Sequence, residues 1–197
     1  MSARWFTAFL VTVALAVTMP VSPIRAAVPA SLQGVVRVGS QPGKDVVIWL
    51  MDVPGPAPSQ GRVVLDQRKL TFTPQILAVR VGTAVEMPNN DRVFHNVFSF
   101  KDGKKFDLGL YPSGTSKLVT FDRPGVSRIF CNIHPNMAAY VVAVDSAFFG
   151  VSDDTGRFTM AAVPPGTYTY RAWRPGHDVT EGQVVVDPER ALEVRLP

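Results

Sequence analysis

Val126-Ser127-Arg128-Ile129-Phe130-Cys131-Asn132-Ile133-His134-Pro135-Asn136-Met137 is the stretch of this chain that says most about its fold. Its first six residues alternate between the two faces of a strand, so Ser127, Ile129 and Cys131 share one face. Small polar residues and a proline follow, and they predict a tight loop at the strand end. The pattern predicts a β-strand that carries its cysteine inward, followed at once by a loop.

This loop and one distant histidine form a candidate metal site. Cys131, His134 and Met137 lie within seven residues, and Cys131 is the only cysteine of the chain. A second imidazole is available at His95, where a turn opens into a strand. Two histidines, a cysteine and a weak axial methionine are the ligands of blue-copper sites, whereas structural zinc takes four strong ligands. We therefore predict that these four residues bind one copper ion.

Other interpretations of the same residues stay open at this point. A free cysteine is commonly a small buried apolar residue, and a lone cysteine cannot form an internal disulfide. Met137 can equally pack in a core. The third histidine, His177, is predicted to lie in an exposed turn without a metal role. Trp173 and Tyr170 are predicted to be core residues of a second, outer sandwich rather than a sugar-binding platform.

The N-terminus predicts export. Arg4 precedes an apolar run from Trp5 to Met19, and the pattern ends at Ala26 as in a secretory signal peptide. The run is shorter than the roughly 20 residues of a membrane span, and no later run reaches that length. We expect a periplasmic protein without an integral membrane segment after cleavage. Loss of residues 1–26 would leave 18 basic and 16 acidic residues, a balance that does not favour nucleic acid as a partner.

The rest of the chain has the pattern of an all-β protein. Short runs rich in Val, Phe, Thr and Tyr are separated by turn residues, without an apolar repeat of helical spacing. A proline-rich connector, Val53 to Gly61, divides the chain early. We predict a signal peptide at 1–26, the first strands of an outer sandwich at 27–62, a copper domain at 63–145, and the remaining outer strands at 146–197.

Residues 69–144 resemble the plastocyanin, pseudoazurin and amicyanin branch of the cupredoxins. The resemblance rests on four features: the F-x-P-x-x-L-x-V-x-x-G-T-x-V run from Phe72 to Val85, the Asn89-Asn90-Asp91 turn before His95-Asn96, Phe121 with Pro124-Gly125, and the C-x-x-H-x-x-M loop. It implies a Greek-key sandwich with His95 as the buried ligand and His134 as the partly exposed one. It also implies that Asn96 links the two ligand loops by hydrogen bonds.

The outer segments resemble a carboxypeptidase regulatory-like, transthyretin-type sandwich. The resemblance rests on the strands Gly34 to Val38 and Val46 to Leu50, on the D-x-x-G-x-F pattern at Asp153 to Phe158, and on Pro164-Pro165-Gly166 before Tyr168. It implies a second small β-sandwich that is split around the copper domain. The alternative is two side-by-side sandwiches with an extra N-terminal hairpin on the first.

The predicted function is one-electron transfer without catalysis. The cupredoxin resemblance implies a redox protein that docks near His134 and Phe94. Copper enzymes with such a domain need further histidine-bound copper, and only three histidines exist here. Cys131 and His134 also lack a third group that would orient a nucleophile pair. The alternatives are copper storage or delivery, an interaction protein with structural copper, and a zinc-binding or metal-free relic. The sequence sets no oligomeric state.

Overall fold

The computed structural model describes residues 31–55, 57, 60–100, 102–187 and 191–196. Every regular element in these residues is a strand, which confirms the all-β prediction. None of them forms a helix long and apolar enough to cross a membrane. The predicted signal peptide lies outside the described residues.

The strands differ in length from two to eight residues. In chain order they are β1 (Ser31–Val38), β2 (Gln41–Pro42), β3 (Val47–Leu50), β4 (Val63–Val64), β5 (Asp66–Arg68), β6 (Thr71–Thr73), β7 (Ile76–Arg80), β8 (Thr83–Pro88), β9 (His95–Ser99), β10 (Phe106–Tyr111), β11 (Ser116–Phe121), β12 (Gly125–Phe130), β13 (Ala138–Val144), β14 (Phe149–Val151), β15 (Arg157–Ala162), β16 (Gly166–Trp173), β17 (Thr180–Val186) and β18 (Leu192–Leu196).

Four of the sheets stack as layers, which we number I to IV. Sheet I has the order β15-β1-β18, with β2 paired to β1, and sheet II has the order β14-β3-β16-β17. Sheet III is β10-β9-β12-β13-β7, and sheet IV is β11-β8-β4. The separate hairpin β5–β6 lies at one end of sheets III and IV. Gln67 of this hairpin forms an isolated parallel β-bridge with Asn89. Sheets I and II combine strands from both ends of the described chain, and sheets III and IV use the residues between them.

Pairing shows how the chain leaves and re-enters the outer sheets. β1 runs antiparallel to β15 and parallel to β18, and β3 pairs with β14 and β16. The chain therefore leaves sheet II after β3, builds sheets III and IV, and returns at β14. The domain boundaries given above stay a prediction.

Three apolar cores separate the four layers. The core between sheets I and II includes Val36, Ile48, Leu50, Phe158 and Val194. The core between sheets III and IV includes Phe72, Val85, Phe121, Ile129 and Cys131. A third core joins sheet II to sheet III and consists of Val47, Trp49, Ile76, Ala78, Val142, Val144 and Trp173. This last cluster, which we call the interlayer core, links the two sandwiches.

Strands β3 and β13 are buried on both faces because they border the interlayer core. Along β3, Val47 and Trp49 face sheet III, whereas Ile48 and Leu50 face sheet I. All four residues are buried, and a strand covered on both sides has a continuous apolar sequence instead of an alternating one. Trp173 is buried in this interlayer core instead of the predicted core of the outer sandwich, and its ring centroid lies 5.2 Å from that of Tyr140 on sheet III. Tyr170 packs against the core of sheets I and II and is partly buried.

Candidate metal centre

The three histidine and cysteine ligand candidates meet at one end of sheet III. His95 is the first residue of β9, and Cys131 directly follows β12, its neighbour in the sheet. The two strands are antiparallel, with Phe130 opposite Phe98, so the start of one meets the end of the other. His134 returns to the same point on the loop between β12 and β13. The fold brings together side chains that are 36 residues apart in sequence.

The donor atoms of these residues face one another. The Nδ1 atoms of His95 and His134 are 3.0 Å apart, and the Cys131 Sγ lies 3.8 Å from the first and 3.5 Å from the second. A metal with bonds of about 2.0 Å to nitrogen and about 2.3 Å to sulfur in a trigonal plane separates its donors by about 3.5 to 3.8 Å. The two sulfur–nitrogen distances match this range, and the distance between the two nitrogen atoms is shorter than this range. The donor set fits a copper ion.

Burial differs across the site. The side chain of His95 is fully buried and Cys131 is nearly so, whereas His134 is partly exposed. Only the His134 imidazole therefore connects the donor cluster to the protein surface.

The loop that carries His134 is closed by its own backbone. The Met137 N–H donates to the His134 carbonyl at 2.9 Å, and the Cys131 N–H donates to the Met137 carbonyl at 3.3 Å. These bonds bring the two ends of the loop together. Met137 is buried in the same apolar cluster as Cys131. Axial ligation by Met137 and simple packing both agree with this position.

Asp91 orients the buried histidine, a role that sequence reasoning missed. Its Oδ2 lies 3.2 Å from His95 Nε2 and accepts the Leu70 N–H at 2.7 Å. The hydrogen bond from Leu70, then the bond from the Arg92 N–H and the interaction with His95, hold the pKa of Asp91 below its usual value. An ionised carboxylate only accepts, so this contact favours the tautomer of neutral His95 that carries its proton on Nε2 and leaves Nδ1 free to bind a metal. The signal available in the sequence was an acidic residue four positions before the histidine.

The hairpin β5–β6 supplies the bond to Asp91. Its two turn residues, Lys69 and Leu70, have φ values of 56° and 57°. Positive φ at both central positions is the geometry of a type I′ turn, which matches the twist of the flanking strands. This turn directs the Leu70 N–H at the Asp91 carboxylate.

Asn89 holds the loop between β8 and β9 in place. It is fully buried, its Nδ2 donates to the carbonyls of Val93 and Tyr111, and its Oδ1 accepts the Asp91 N–H. Beside it, Gln67 donates to the Tyr111 hydroxyl at 2.5 Å, and burial raises the pKa of Tyr111 to about 12. This buried polar network sets where Asp91 lies, because the Asn89 side chain bonds to Val93 and Asp91 within the loop and to Tyr111 on β10.

The expected role of Asn96 requires a correction. Its Nδ2 donates to Asp107 on β10 at 2.7 Å, and its Oδ1 is buried without a partner. The predicted bond to the Cys131–Met137 loop is therefore wrong for this side chain. Neighbouring strand residues point to opposite faces, so Asn96 points away from the face that His95 occupies. Asn96 secures the edge strand β10 instead of the ligand loop.

We expect the Asp91→Ala variant to bind metal 10- to 100-fold more weakly, as is typical when the partner of a metal-bound histidine is removed. Nitrogen NMR of the metal-free protein gives a second readout, in which His95 loses its preference for the Nε2–H tautomer. The matched control is Asp91→Asn, whose side-chain oxygen still accepts a hydrogen bond and keeps most of the tautomer preference. An unchanged tautomer in Asp91→Ala would refute the orienting role.

Comparison with protein families supports the metal assignment. Residues 59–145 match the model of the copper binding proteins of the plastocyanin/azurin family. The match covers less than half of the 197 residues and includes all four predicted ligands. Sheets I and II are built by residues outside it. A comparison with curated proteins found no match.

Several solved structures resemble part of the chain. A novel purple cupredoxin from Nitrosopumilus maritimus aligns over 42% of this chain and 99% of its own, with 24% identity and a TM-score of 0.39. The reduced copper(I) form of an amicyanin mutant aligns over 49% and 98%, with 23% identity and a TM-score of 0.40. A copper-containing nitrite reductase from Thermus scotoductus aligns over 48% of this chain and 25% of its own, with 24% identity and a TM-score of 0.41. At these sequence identities and TM-scores, the similarity says nothing about the function of this chain.

The conclusion rests on the family match and on the donor cluster together. One thiol and two imidazoles converge at the end of sheet III, within the matched segment. Residues 59–145 are therefore similar to the copper binding proteins of the plastocyanin/azurin family, and the cofactor of the site is copper.

Proposed function

We propose that this protein carries single electrons between redox partners in the periplasm, with one type 1 copper ion per chain. The observation that carries the proposal is the burial of Cys131 and His95 beside His134, which is the only one of these three donors that reaches the surface. Such an arrangement leaves the partner a single short path to the metal. The proposed location rests on the predicted signal peptide.

The roles of the residues follow from their environments. Bound copper supplies the one-electron redox couple between copper(II) and copper(I). Cys131 binds as a thiolate, because coordination removes the thiol proton. Asp91 keeps the Nδ1 of His95 directed at the metal position, and His134 connects the site to the surface. Met137, which is buried in the same apolar cluster as Cys131, would be the fourth and weakest ligand.

A carrier role is favoured over catalysis by the enclosure of the site. Catalytic metal sites keep a position open for water or substrate. Here His95, Cys131 and Met137 are buried, and two backbone hydrogen bonds close the loop that carries His134. His177 lies in a turn between β16 and β17, apart from the donor cluster in the described chain.

The test is repeated redox cycling of the copper-loaded protein in the presence of a copper chelator. We expect full bleaching with one electron per copper on addition of ascorbate, and full recovery with ferricyanide over many cycles. Copper that passes to the chelator within a few cycles would contradict a carrier and would favour copper delivery. A protein that binds copper but cannot be reduced would favour a structural role.

A further inference from the structure

Sheet II covers only part of the face that sheet III turns towards it. Val142 on β13 is buried in the interlayer core, and Val126 on β12 is paired with it. Further along β12, Phe130 is paired with Phe98 on β9. Paired residues lie on one face of a sheet, so the same face continues across β12 and β9. There Phe130 and Phe98 are only partly buried, and Phe100, which follows β9, is 60% exposed. An open cleft therefore remains beside the interlayer core.

Both sandwiches contribute to this cleft, which has a volume of about 490 Å³. Arg128, Phe130 and Tyr140 of sheet III form its floor, and residues 176–179, between β16 and β17, form a wall. Trp173 lies beside Tyr140, where the floor meets sheet II. Small-molecule sites have volumes of about 300 to 1,000 Å³ and occur preferentially between domains. The cleft has the size and the position of such a site.

The floor of the cleft carries stacked aromatic rings. The ring centroids of Phe98 and Phe100 are 5.9 Å apart, and those of Phe100 and Phe130 are 5.5 Å apart, with both pairs stacked. Offset stacking of aromatic rings is favourable beyond the area that it buries. Because Phe100 is mostly exposed, the stack can be extended by one more ring. This surface favours a ligand with a flat aromatic group.

Arg128 places a cation without an anionic partner on the same floor. Its Cζ lies 4.7 Å from the ring centroid of Phe130 and 5.8 Å from that of Tyr140. In the part of the chain that the structure describes, no carboxylate lies within ion-pair distance of this guanidinium. Contacts with ring faces leave its N–H donors without acceptors, and a guanidinium binds a carboxylate through two parallel hydrogen bonds. Arg128 is therefore available to hold the carboxylate of a ligand.

Two carboxylates also line the cleft, one from each sandwich. Asp102 lies between β9 and β10, and Asp178 lies between β16 and β17. Both are exposed, and neither bonds to another described residue. Charges of both signs thus lie beside one aromatic surface, and such charges select ligands of complementary pattern.

We propose that this cleft binds a small aromatic zwitterion, a molecule that carries a flat ring, a carboxylate and an ammonium group, as free aromatic amino acids do. The ring stacks on Phe100, and Arg128 holds the carboxylate. Asp102 and Asp178 attract the ammonium group. The site is separate from the metal centre and adds a binding function to the electron-carrier function proposed above.

The test is a titration of the copper(I) protein, in the absence of oxygen, followed by the amide signals in NMR. Copper(I) is used because amine and carboxylate groups of free amino acids bind copper(II). The probes are L-phenylalanine, 3-phenylpropanoate, phenethylamine and glycine. We expect phenylalanine to bind most tightly and to shift the amides of β12 and of residues 176–179. The two probes that lack one charged group should bind about tenfold more weakly, and glycine should cause no shift.

Substitutions assign each contact to one part of the ligand. Arg128→Gln should weaken phenylalanine and 3-phenylpropanoate about tenfold and leave phenethylamine unchanged. Phe100→Ala should weaken all three ring-bearing probes about fivefold. Asp178→Asn should weaken phenylalanine and phenethylamine and leave 3-phenylpropanoate unchanged.

The matched controls lie on other surfaces. Arg195→Gln removes a cation from sheet I, where Arg195 pairs with Glu193, and Leu118→Ala removes an exposed apolar side chain from sheet IV. Both should change the affinity for phenylalanine less than twofold. Losses in these controls as large as in Arg128→Gln and Phe100→Ala, or the absence of shifts at β12, would overturn the cleft as the site. Equal affinities for phenylalanine and 3-phenylpropanoate would overturn the zwitterion as its ligand.

Discussion

We expect the Cys131→Ser variant to lose the intense blue absorption of the copper(II) protein and the narrow copper hyperfine splitting in EPR. The band arises from charge transfer between thiolate and copper, and a serine hydroxyl supplies neither the sulfur nor a readily formed anion. Copper that remains bound should give weak absorption and a wide splitting typical of tetragonal sites. Absorption and EPR on equally loaded samples measure both changes.

Two comparisons keep this result interpretable. Serine is close to cysteine in size, so the far-UV circular dichroism of the variant should stay that of the parent. His177→Ala removes the one histidine outside the donor cluster and should leave colour and EPR unchanged. A parent protein without the blue band, or a Cys131→Ser variant that keeps it, would contradict the proposed type 1 site.

The second large effect is expected from Trp49→Ala, which should lower the free energy of unfolding by about 3 to 5 kcal/mol. Trp49 is buried in the interlayer core, where it packs with Trp173 and Val142 between sheets II and III. Its removal leaves a cavity that rigid sheets on both sides cannot close. Denaturant unfolding, followed by circular dichroism and by the copper absorption, measures the loss.

The two signals also test whether the sandwiches are coupled. A shared interlayer core predicts that both signals change in one transition and that both midpoints shift in Trp49→Ala. The control is Trp49→Phe, which keeps an aromatic ring and removes an Nε1–H that is buried without a partner, so it should cost less. If the copper signal keeps its midpoint while circular dichroism shifts, the two sandwiches unfold independently.

The local parts of the site were predictable because they depend on neighbours in sequence. Cys131, His134 and Met137 lie on one loop, and strand alternation already directs Cys131 inward. His95 was found from its residue type and from the turn before it. The all-β class followed from short apolar runs of period two, which no helix fits.

The parts that sequence reasoning missed depend on contacts between distant segments. Asp91 acquires its role only when the Leu70 turn and His95 converge on its carboxylate. Asn96 was assigned by resemblance to the ligand loop, yet its partner is Asp107 on an edge strand. Hydrogen bonds of this kind depend on strand order, which composition and spacing do not contain.

The sequence by itself determined the strand pattern, the metal donor types and the loop that holds three of the four predicted ligands. Only the tertiary structure decided that sheets II and III share a core. The apolar run Val47 to Leu50 indicates a strand covered on both faces, but it does not indicate which sheets cover it. It also decided which ion pairs form, for example that of Lys104 with Asp122. An ion pair depends on the position of two side chains in space, and sequence distance does not reveal it.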